Sequence, residues 1–349
     1  MRSKRHSLTA LIAGLAMLML ILDGKTAIHS AREGVELCLR TVVPSLFPFF
    51  VLSGIISSYF TGQKIPLLKP LCRFCRIPAG SESLLLIGLI GGYPVGAQLI
   101  TQAVTSGNLS YKDGVRMLGF CSNAGPAFLF GMLSPLFAEK WLLWLLWGVQ
   151  IGSALLTGFL LPGGTVLGAK IQKSKQLTFT EALQAAIRVM ASVCGWVILF
   201  RIVIGFGDYW LLCYLPGAVK IALSGLLELS NGCVLLAEIP NSNMRFLLAG
   251  VFLSFGGICV AMQTQSVTKV TGIGWYFPGK VIQSLLALFL CLCICSVLGA
   301  SYRLYLLVAG IATSAIIFLI RRKLGMEYKK TLVYNEENQL TKEIVYAIS

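Results

Sequence analysis

Polar and helix-breaking residues interrupt four otherwise apolar segments of this chain. The interruptions are Gly91-Gly92-Tyr93-Pro94-Val95-Gly96, Cys121-Ser122-Asn123-Ala124-Gly125-Pro126, Glu228-Leu229-Ser230-Asn231-Gly232 and Gly256-Gly257, the last followed by Gln263-Thr264-Gln265-Ser266. Proline cannot donate the helical hydrogen bond and glycine permits unwound backbone, so each interruption is predicted to expose backbone N–H groups where a half-helix begins. Such groups carry partial positive charge and suit carboxylate or phosphate oxygens.

We expect these interruptions to form a binding site for a small anionic substrate. The predicted substrate-binding residues are Gly92, Tyr93, Pro94, Gly96, Ser122, Asn123, Glu228, Ser230, Asn231, Gly232, Gly256, Gly257, Gln263 and Gln265. Glycine and proline also serve as ordinary kink and packing residues of membrane helices, and that alternative stays open for any single interruption. Four interruptions with polar neighbours favour a site.

Glu228 is the only carboxylate that the sequence leads us to place deep in a membrane. An unpaired ionisable group at that depth costs at least about 2.5 kcal/mol, so a functional role is predicted. Glu228 would bind a coupling proton or cation, or contact the substrate. The alternative is a structural hydrogen bond to the opposing interruption.

The sequence argues against an enzyme. Its two histidines, His6 and His29, both lie near the N-terminus, which leaves no metalloprotease pattern and no Ser-His pair in the apolar segments. The glycine pairs lack the spacing of a P-loop or a dinucleotide-binding fingerprint. Cys72 and Cys75 form one C-x-x-C without a second pair, so a zinc site is not expected. We predict neither a metal nor a cofactor.

The composition identifies the environment that holds these segments. Hydrophobic residues make up 56% of the 349 residues and charged residues only 12%, whereas soluble domains carry about 25% charged residues. So few charges cannot cover a soluble surface, so we predict a polytopic protein of the lipid bilayer. The net charge is +15, and the lysine and arginine residues lie mainly in predicted inner loops. This distribution indicates the orientation in the membrane, and we predict no nucleic-acid partner.

Hydropathy predicts an all-α polytopic membrane protein of about eight transmembrane helices plus two re-entrant helical hairpins. The predicted spans are 8–22, 43–60, 114–136, 141–161, 186–206, 245–267, 281–299 and 303–320, and the predicted hairpins are 82–103 and 215–238. Residues 26–42 are expected to form an amphipathic helix at the membrane interface. The lysine and arginine distribution predicts that both termini are cytoplasmic and that Lys280 lies in an inner loop.

A weak internal repeat relates the two halves of the chain. Residues 33–56 align with residues 181–204, and in both halves a hairpin and a broken span follow in the same order. The predicted units are an N-terminal transmembrane helix (1–25), a first repeat (26–165), a second repeat (166–275), C-terminal scaffold helices (276–320) and a cytoplasmic tail (321–349). An odd number of predicted crossings separates the repeats, which makes them inverted, as in many secondary transporters.

Four stretches carry a resemblance to a known family. They are LFPFFVLSG (46–54), GLIGGYPVGA (88–97), FCSNAGPAFLFG (120–131) and GLLELSNG (225–232). Over about residues 8–320 the chain resembles the YlbJ-type sporulation integral membrane proteins of the nucleoside-recognition, or gate, domain group. The resemblance implies two gate-like repeats in a bacterial cytoplasmic membrane, namely the mother-cell-derived outer forespore membrane. It also implies that dipicolinic acid is moved into the spore.

The same resemblance extends to the hairpin tips of nucleoside transporters. Their tip residues correspond here to Gly92, Tyr93, Pro94 and Gly96 and to Glu228, Ser230 and Asn231. The first tip lacks the acidic residue that the nucleoside transporters carry, which weakens the expectation of sodium coupling and of nucleoside selectivity.

We therefore predict a secondary transporter of a small anionic metabolite, with dipicolinic acid as the foremost candidate. Two alternatives stay open: a nucleoside or other metabolite carrier of the same group, and a sporulation membrane assembly factor that transports nothing. Coupling to a proton or cation and assembly into a homo-oligomer are left open as well.

Overall fold

The computed structural model describes residues 2–164, 175–268, 274–297, 305 and 308–325, and all regular secondary structure in this part of the chain is helical, as predicted. Five helices of the described residues are long and apolar enough to cross a membrane. They are Gly24–Phe60, Trp141–Leu160, Phe179–Trp210, Ser242–Val267 and Tyr276–Val297. These helices support the prediction of a membrane protein. The count of eight spans stays a prediction.

The helices follow the same order in the two halves of the chain. The first half contains α1 (Arg2–Leu22), α2 (Gly24–Leu37), α3 (Val43–Phe60), α4 (Lys69–Phe74), α5 (Glu82–Ile90), α6 (Val95–Thr105), α7 (Tyr111–Leu118), α8 (Pro126–Leu133) and α9 (Trp141–Leu160). The second half contains α10 (Phe179–Trp210), α11 (Gly217–Leu227), α12 (Leu229–Leu235), α13 (Ser242–Phe255), α14 (Gly257–Val267) and α15 (Tyr276–Val297), followed by α16 (308–325). Each half thus has a long helix, two short helices, a broken helix and a second long helix.

The predicted interfacial helix 26–42 is not separate from the span that follows it. Helices α2 and α3 join through a π-helical turn, Cys38–Val42, into one helix of 37 residues. Pro44 lies in the first turn of α3, directly after the π turn. Because proline has no N–H to donate, the wider turn before it lets the helix continue past the missing hydrogen bond.

The second long helix is also longer than the predicted span 186–206. Helix α10 has 32 residues and begins with a capping box, in which Thr178 and Glu181 bond to each other's backbone N–H groups. This arrangement satisfies N–H groups that have no partner inside the helix. The extra turns therefore start from a defined cap well before the most apolar residues.

Both segments predicted as re-entrant hairpins consist of two short helices that pack against each other. In the first, α5 and α6 are separated by residues 91–94, and a Cβ atom on Gly96 would lie 3.0 Å from the Cα atom of Gly88. In the second, α11 and α12 are separated by Glu228 alone, and a Cβ atom on Gly232 would clash with the Cα atom of Gly225. Glycine pairs therefore allow the close approach of the two arms in each hairpin.

Each hairpin is followed by a helix that is interrupted in its middle. Residues 119–125 separate α7 from α8, whereas the break between α13 and α14 is limited to Gly256. Gly256 and Gly257 have φ angles of +81° and +84°, a region that side chains with a Cβ atom rarely adopt. The second break thus depends on this glycine pair.

The two halves contact each other reciprocally. Helix α6 of the first hairpin packs on α14 of the second broken helix, and α12 of the second hairpin packs on α8 of the first broken helix. Helices α2 and α3 pack along α10, while α9, α13 and α15 pack together. This arrangement brings all four interruptions toward the middle of the molecule. The inverted relation of the halves and the division into units stay predictions.

Candidate functional site

The two hairpin tips and the two broken helices meet around one buried cavity, which we call the central cavity. The lining comprises Gly92 and Tyr93, Ala124, Gly125 and Phe128, Glu228, Leu229 and Ser230, Val260 and Gln263, with Val42, Leu46, Phe49, Phe50, Val193 and Val197 from the long helices. Its volume is about 40 Å³, and one water molecule needs about 10–15 Å³ by this measure. The central cavity in this conformation is therefore smaller than an aromatic dicarboxylate.

Glu228 caps the start of α12 with its own side chain. Its carboxylate accepts hydrogen bonds from the backbone N–H groups of Ser230 at 3.0 Å and Asn231 at 2.7 Å, and from Nδ2 of Asn231 at 2.8 Å. The expectation that this interruption presents free backbone N–H groups is therefore wrong, because an internal carboxylate already occupies them. Three donors and the helix dipole compensate the charge of Glu228 locally.

Asn123 ties three elements together behind the central cavity. Its Nδ2 donates to the carbonyl oxygens of Phe120 at 2.8 Å and of Gly88 at 3.2 Å. Its Oδ1 accepts from Lys280 Nζ at 3.2 Å and from Gln283 Nε2 at 2.8 Å. The amide therefore holds the first hairpin, the first break and α15 in a fixed relation.

Lys280 is the main residue of this region that sequence reasoning missed. It was predicted to lie in an inner loop, but α15 begins at Tyr276 and the Lys280 side chain is fully buried. Proline fits the first turn of a helix, where its missing N–H costs nothing, so Pro278 is compatible with the earlier start. The three-residue spacing of Lys280 and Gln283 places them on one helix face once the segment is helical, but it does not by itself show that the helix includes Lys280.

Glu228 is also not the only buried carboxylate. Glu82 and Asp113 are likewise buried in the described part of the chain. Glu82 Oε1 accepts from the backbone N–H of Gly80 at 3.3 Å, and Asp113 Oδ2 accepts from Ser110 Oγ at 2.6 Å. Both lie at the start of a helix, where a carboxylate is favoured by the helix dipole.

The predicted site residues divide into five groups in the structure. Gly92, Tyr93, Glu228, Ser230 and Gln263 line the central cavity, whereas Pro94 lines a neighbouring cavity of about 320 Å³. The residues that support the central lining from behind are Asn123, Asn231, Gly256 and Gly257. Gly96, Ser122 and Gly232 are buried in packing contacts of the hairpins and the first break, and Gln265 is exposed.

Gln265 therefore does not belong to the site, contrary to the prediction. Residues two apart on an α-helix differ by about 200° around its axis, so Gln263 and Gln265 cannot face the same cavity. The structure selects Gln263, whose neighbours on that side are the hairpin tips.

Two larger cavities lie next to the central cavity and share lining residues in succession. A second cavity of about 320 Å³ shares Val193 and Gln263 with the central cavity and also contains Arg188 and Ser192 in its lining. A third cavity of about 270 Å³ shares Gln98, Ala185 and Val189 with the second and reaches Thr61 and Leu177. Both of these cavities lie between the first hairpin and α10.

Arg116 is a second buried cation, and its surroundings indicate a structural role. Its guanidinium donates to the carbonyl oxygens of Cys75 at 2.8 Å, Arg76 at 3.3 Å, Gly158 at 2.5 Å and Leu161 at 3.3 Å. These acceptors lie after α4 and at the end of α9. Arg116 thus satisfies carbonyl groups that a helix end leaves without partners.

The single C-x-x-C pair is buried beside Arg116. Burial raises the pKa of Cys72 to about 12 and that of Cys75 to about 11. Both groups are therefore thiols at neutral pH, whereas a metal ion binds the thiolate.

The chain is similar in sequence to a known sporulation protein. The sporulation integral membrane protein YlbJ of Bacillus subtilis (strain 168) is 23% identical over 318 residues, a match that covers 75% of this chain and 76% of that protein. No family model matches the chain, and no solved structure matches it. Together with the apolar helices, the similarity supports a YlbJ-type relationship for this chain, that of an integral membrane protein connected with sporulation.

Proposed function

We propose that this chain is a secondary transporter that carries a small organic anion, dipicolinic acid by family resemblance, across a bacterial membrane. The observation that carries the proposal is the convergence of both hairpin tips and both helix breaks on one buried cavity. Interrupted segments at corresponding positions of two halves are typical of secondary transporters, whose substrates bind where the halves meet.

The lining of the central cavity suits a substrate with an aromatic ring and carboxylates. Phe49, Phe50 and Phe128 provide an apolar wall for a ring. Gln263 and the hydroxyl of Tyr93 provide hydrogen-bond donors, and the Tyr93 hydroxyl is buried without a partner among the described residues. A mostly apolar pocket with a few placed polar groups is the usual form of a small-molecule site.

Transport requires the central cavity to enlarge, since its present volume is about 40 Å³. In this proposal the substrate enters through the two larger cavities, which lie between α6 of the first hairpin and α10. In the predicted orientation, the end of α3 and the start of α10 face the cytoplasm. The substrate would thus reach the hairpin tips from the cytoplasmic side and leave after the hairpins move.

Uptake into proteoliposomes tests this proposal. Purified protein is reconstituted, and the uptake of labelled dipicolinate is measured with unlabelled dipicolinate or uridine as competitor. Saturable uptake that dipicolinate inhibits and uridine does not would support the proposal. Inhibition by uridine would instead favour a nucleoside carrier, and no uptake of either compound would favour an assembly factor. Imposing pH and sodium gradients separately on the same vesicles identifies the coupling ion.

A further inference from the structure

The side-chain amino group of Lys280 is buried among neutral neighbours. Its side chain is 0% exposed, and Nζ donates to Gln283 Oε1 at 2.9 Å and to Asn123 Oδ1 at 3.2 Å. Both acceptors are neutral amides. Among the described residues, no ion pair within 4.0 Å includes Lys280. Isolated charges in apolar surroundings are costly and are found chiefly at functional sites.

Arg116 and Glu228, two other buried ionisable residues, have more hydrogen-bond partners than Lys280. Arg116 is surrounded by four backbone carbonyl oxygens, and Glu228 accepts three N–H donors. An ammonium group has three N–H donors, and the described contacts of Lys280 use two of them.

A structural tie between the first break and α15 does not need the ammonium group. Gln283 Nε2 already makes this tie with a neutral hydrogen bond to the same Asn123 Oδ1, at 2.8 Å. A neutral side chain at position 280 would therefore preserve the connection without burying a charge. An ammonium group at this position has no carboxylate partner among the described residues, and a substrate carboxylate would supply one.

The amino group of Lys280 lies over the ring of a residue that lines the central cavity. Nζ lies 5.3 Å from the centroid of the Tyr93 ring, and Tyr93 lines the central cavity. An aromatic face stabilises a nearby cation, which gives the ammonium group a tolerable position while no anion is bound. Asn123, which holds Lys280, directly precedes the lining residues Ala124 and Gly125.

We infer that Lys280 is the residue that selects a carboxylate substrate at the central cavity. This inference rests on the proposed function. As the cavity enlarges, the Tyr93 ring moves aside, and a carboxylate oxygen of the substrate forms an ion pair with the ammonium group. Asn123 and Gln283 are positioning residues that keep the ammonium group directed at the cavity.

Binding of two nearly identical compounds tests the role of this charge. The probes are dipicolinate and its neutral diamide, pyridine-2,6-dicarboxamide, titrated calorimetrically into the purified full chain. We expect the wild type to bind dipicolinate at least about tenfold more tightly than the diamide. Lys280→Met should bind both probes with the same low affinity, because the charge that distinguishes them is gone.

Two further variants distinguish the loss of the Lys280 charge from damage to the fold. Gln283→Glu keeps Lys280 but places a carboxylate beside it, so the internal ion pair should also abolish the preference for dipicolinate. Lys220→Gln removes a lysine that pairs with Asp208 at 3.3 Å, away from the cavity, and should keep the wild-type preference. Size-exclusion elution shows which variants are folded.

The outcomes separate this inference from the proposed function. A folded Lys280→Met or Gln283→Glu variant that still prefers dipicolinate would overturn the role of Lys280, even if the wild type transports dipicolinate. A lysine-dependent preference without uptake into vesicles would uphold the binding role and overturn transport. A wild type that binds neither probe would overturn both.

Discussion

The Nζ atom of Lys280 lies 3.2 Å from the Oδ1 atom of Asn123, although 157 positions separate the two residues. This contact joins α15 to the break of the first broken helix. The helix that was predicted to serve only as scaffold therefore takes part in holding the candidate site. It also brings a lysine amino group to a region where the sequence indicated only neutral donors and one carboxylate.

Replacing Glu228 or Asn123 should impair transport without removing the protein from the membrane. Glu228→Gln weakens the cap that shapes the second tip, at a cost to stability of about 1–2 kcal/mol, because a charged acceptor is replaced by a neutral one. Asn123→Ala removes the tie between the first hairpin, the first break and α15. Both variants should lose dipicolinate uptake in proteoliposomes.

Glu238→Gln is a matched control for the loss of a glutamate charge. Glu238 is exposed and does not line the central cavity or the two cavities next to it. It should transport like the wild type. Normal uptake by both Glu228→Gln and Asn123→Ala would show that the site is assigned incorrectly.

The pair Gln263 and Gln265 offers an internal comparison on one helix. Gln263 lines the central cavity and the second cavity, whereas Gln265 is exposed. Gln263→Ala should raise the KM for dipicolinate by about 10- to 100-fold, because a buried hydrogen bond to a charged group is worth about 1.5–3 kcal/mol. Gln265→Ala should leave KM unchanged, and equal effects of the two substitutions would contradict the orientation of α14.

The glycine contact inside the second hairpin should be sensitive to a single methyl group. A Cβ atom on Gly232 would clash with the Cα atom of Gly225 and would lie 3.1 Å from the Phe252 ring. We expect Gly232→Ala to lower stability by about 1–3 kcal/mol, the usual cost of overpacking. Thermal unfolding in detergent measures this loss.

Gly195→Ala is the corresponding control in α10, where nothing lies within 4 Å of the added atom. Its unfolding midpoint should match that of the wild type or exceed it, because alanine favours the helix. Equal midpoints for Gly232→Ala and the wild type would show that the arms of the hairpin are not closely packed.

The membrane environment and the positions of the interruptions are predictable from the sequence because both depend on composition or on neighbouring residues. So few charges exclude a soluble surface, and Gly-Tyr-Pro or Gly-Gly within an apolar run disrupts a helix wherever it occurs. The breaks at Tyr93-Pro94 and Gly256-Gly257 could therefore be located without knowledge of their neighbours.

The errors concern residues whose position depends on distant contacts. A lysine that precedes an apolar run fits a cytoplasmic loop as well as the first turns of a buried helix. For Lys280, the buried position is set by its contact with Asn123, which lies far away in the chain. The free N–H groups expected at the second tip are used by Glu228 itself, which is a matter of side-chain rotamer. Helical periodicity alone could have excluded Gln265 once Gln263 was accepted.

The central claim, that a small dicarboxylate binds between the two hairpin tips, is tested most directly by an experimental structure of the protein with dipicolinate. We expect density for the ligand between Tyr93 and Ser230, in a cavity larger than the present one, with a carboxylate oxygen at hydrogen-bond distance from Lys280 Nζ. Ligand density only on the outer surface, with both tips still in contact with the long helices at saturating dipicolinate, would contradict this claim.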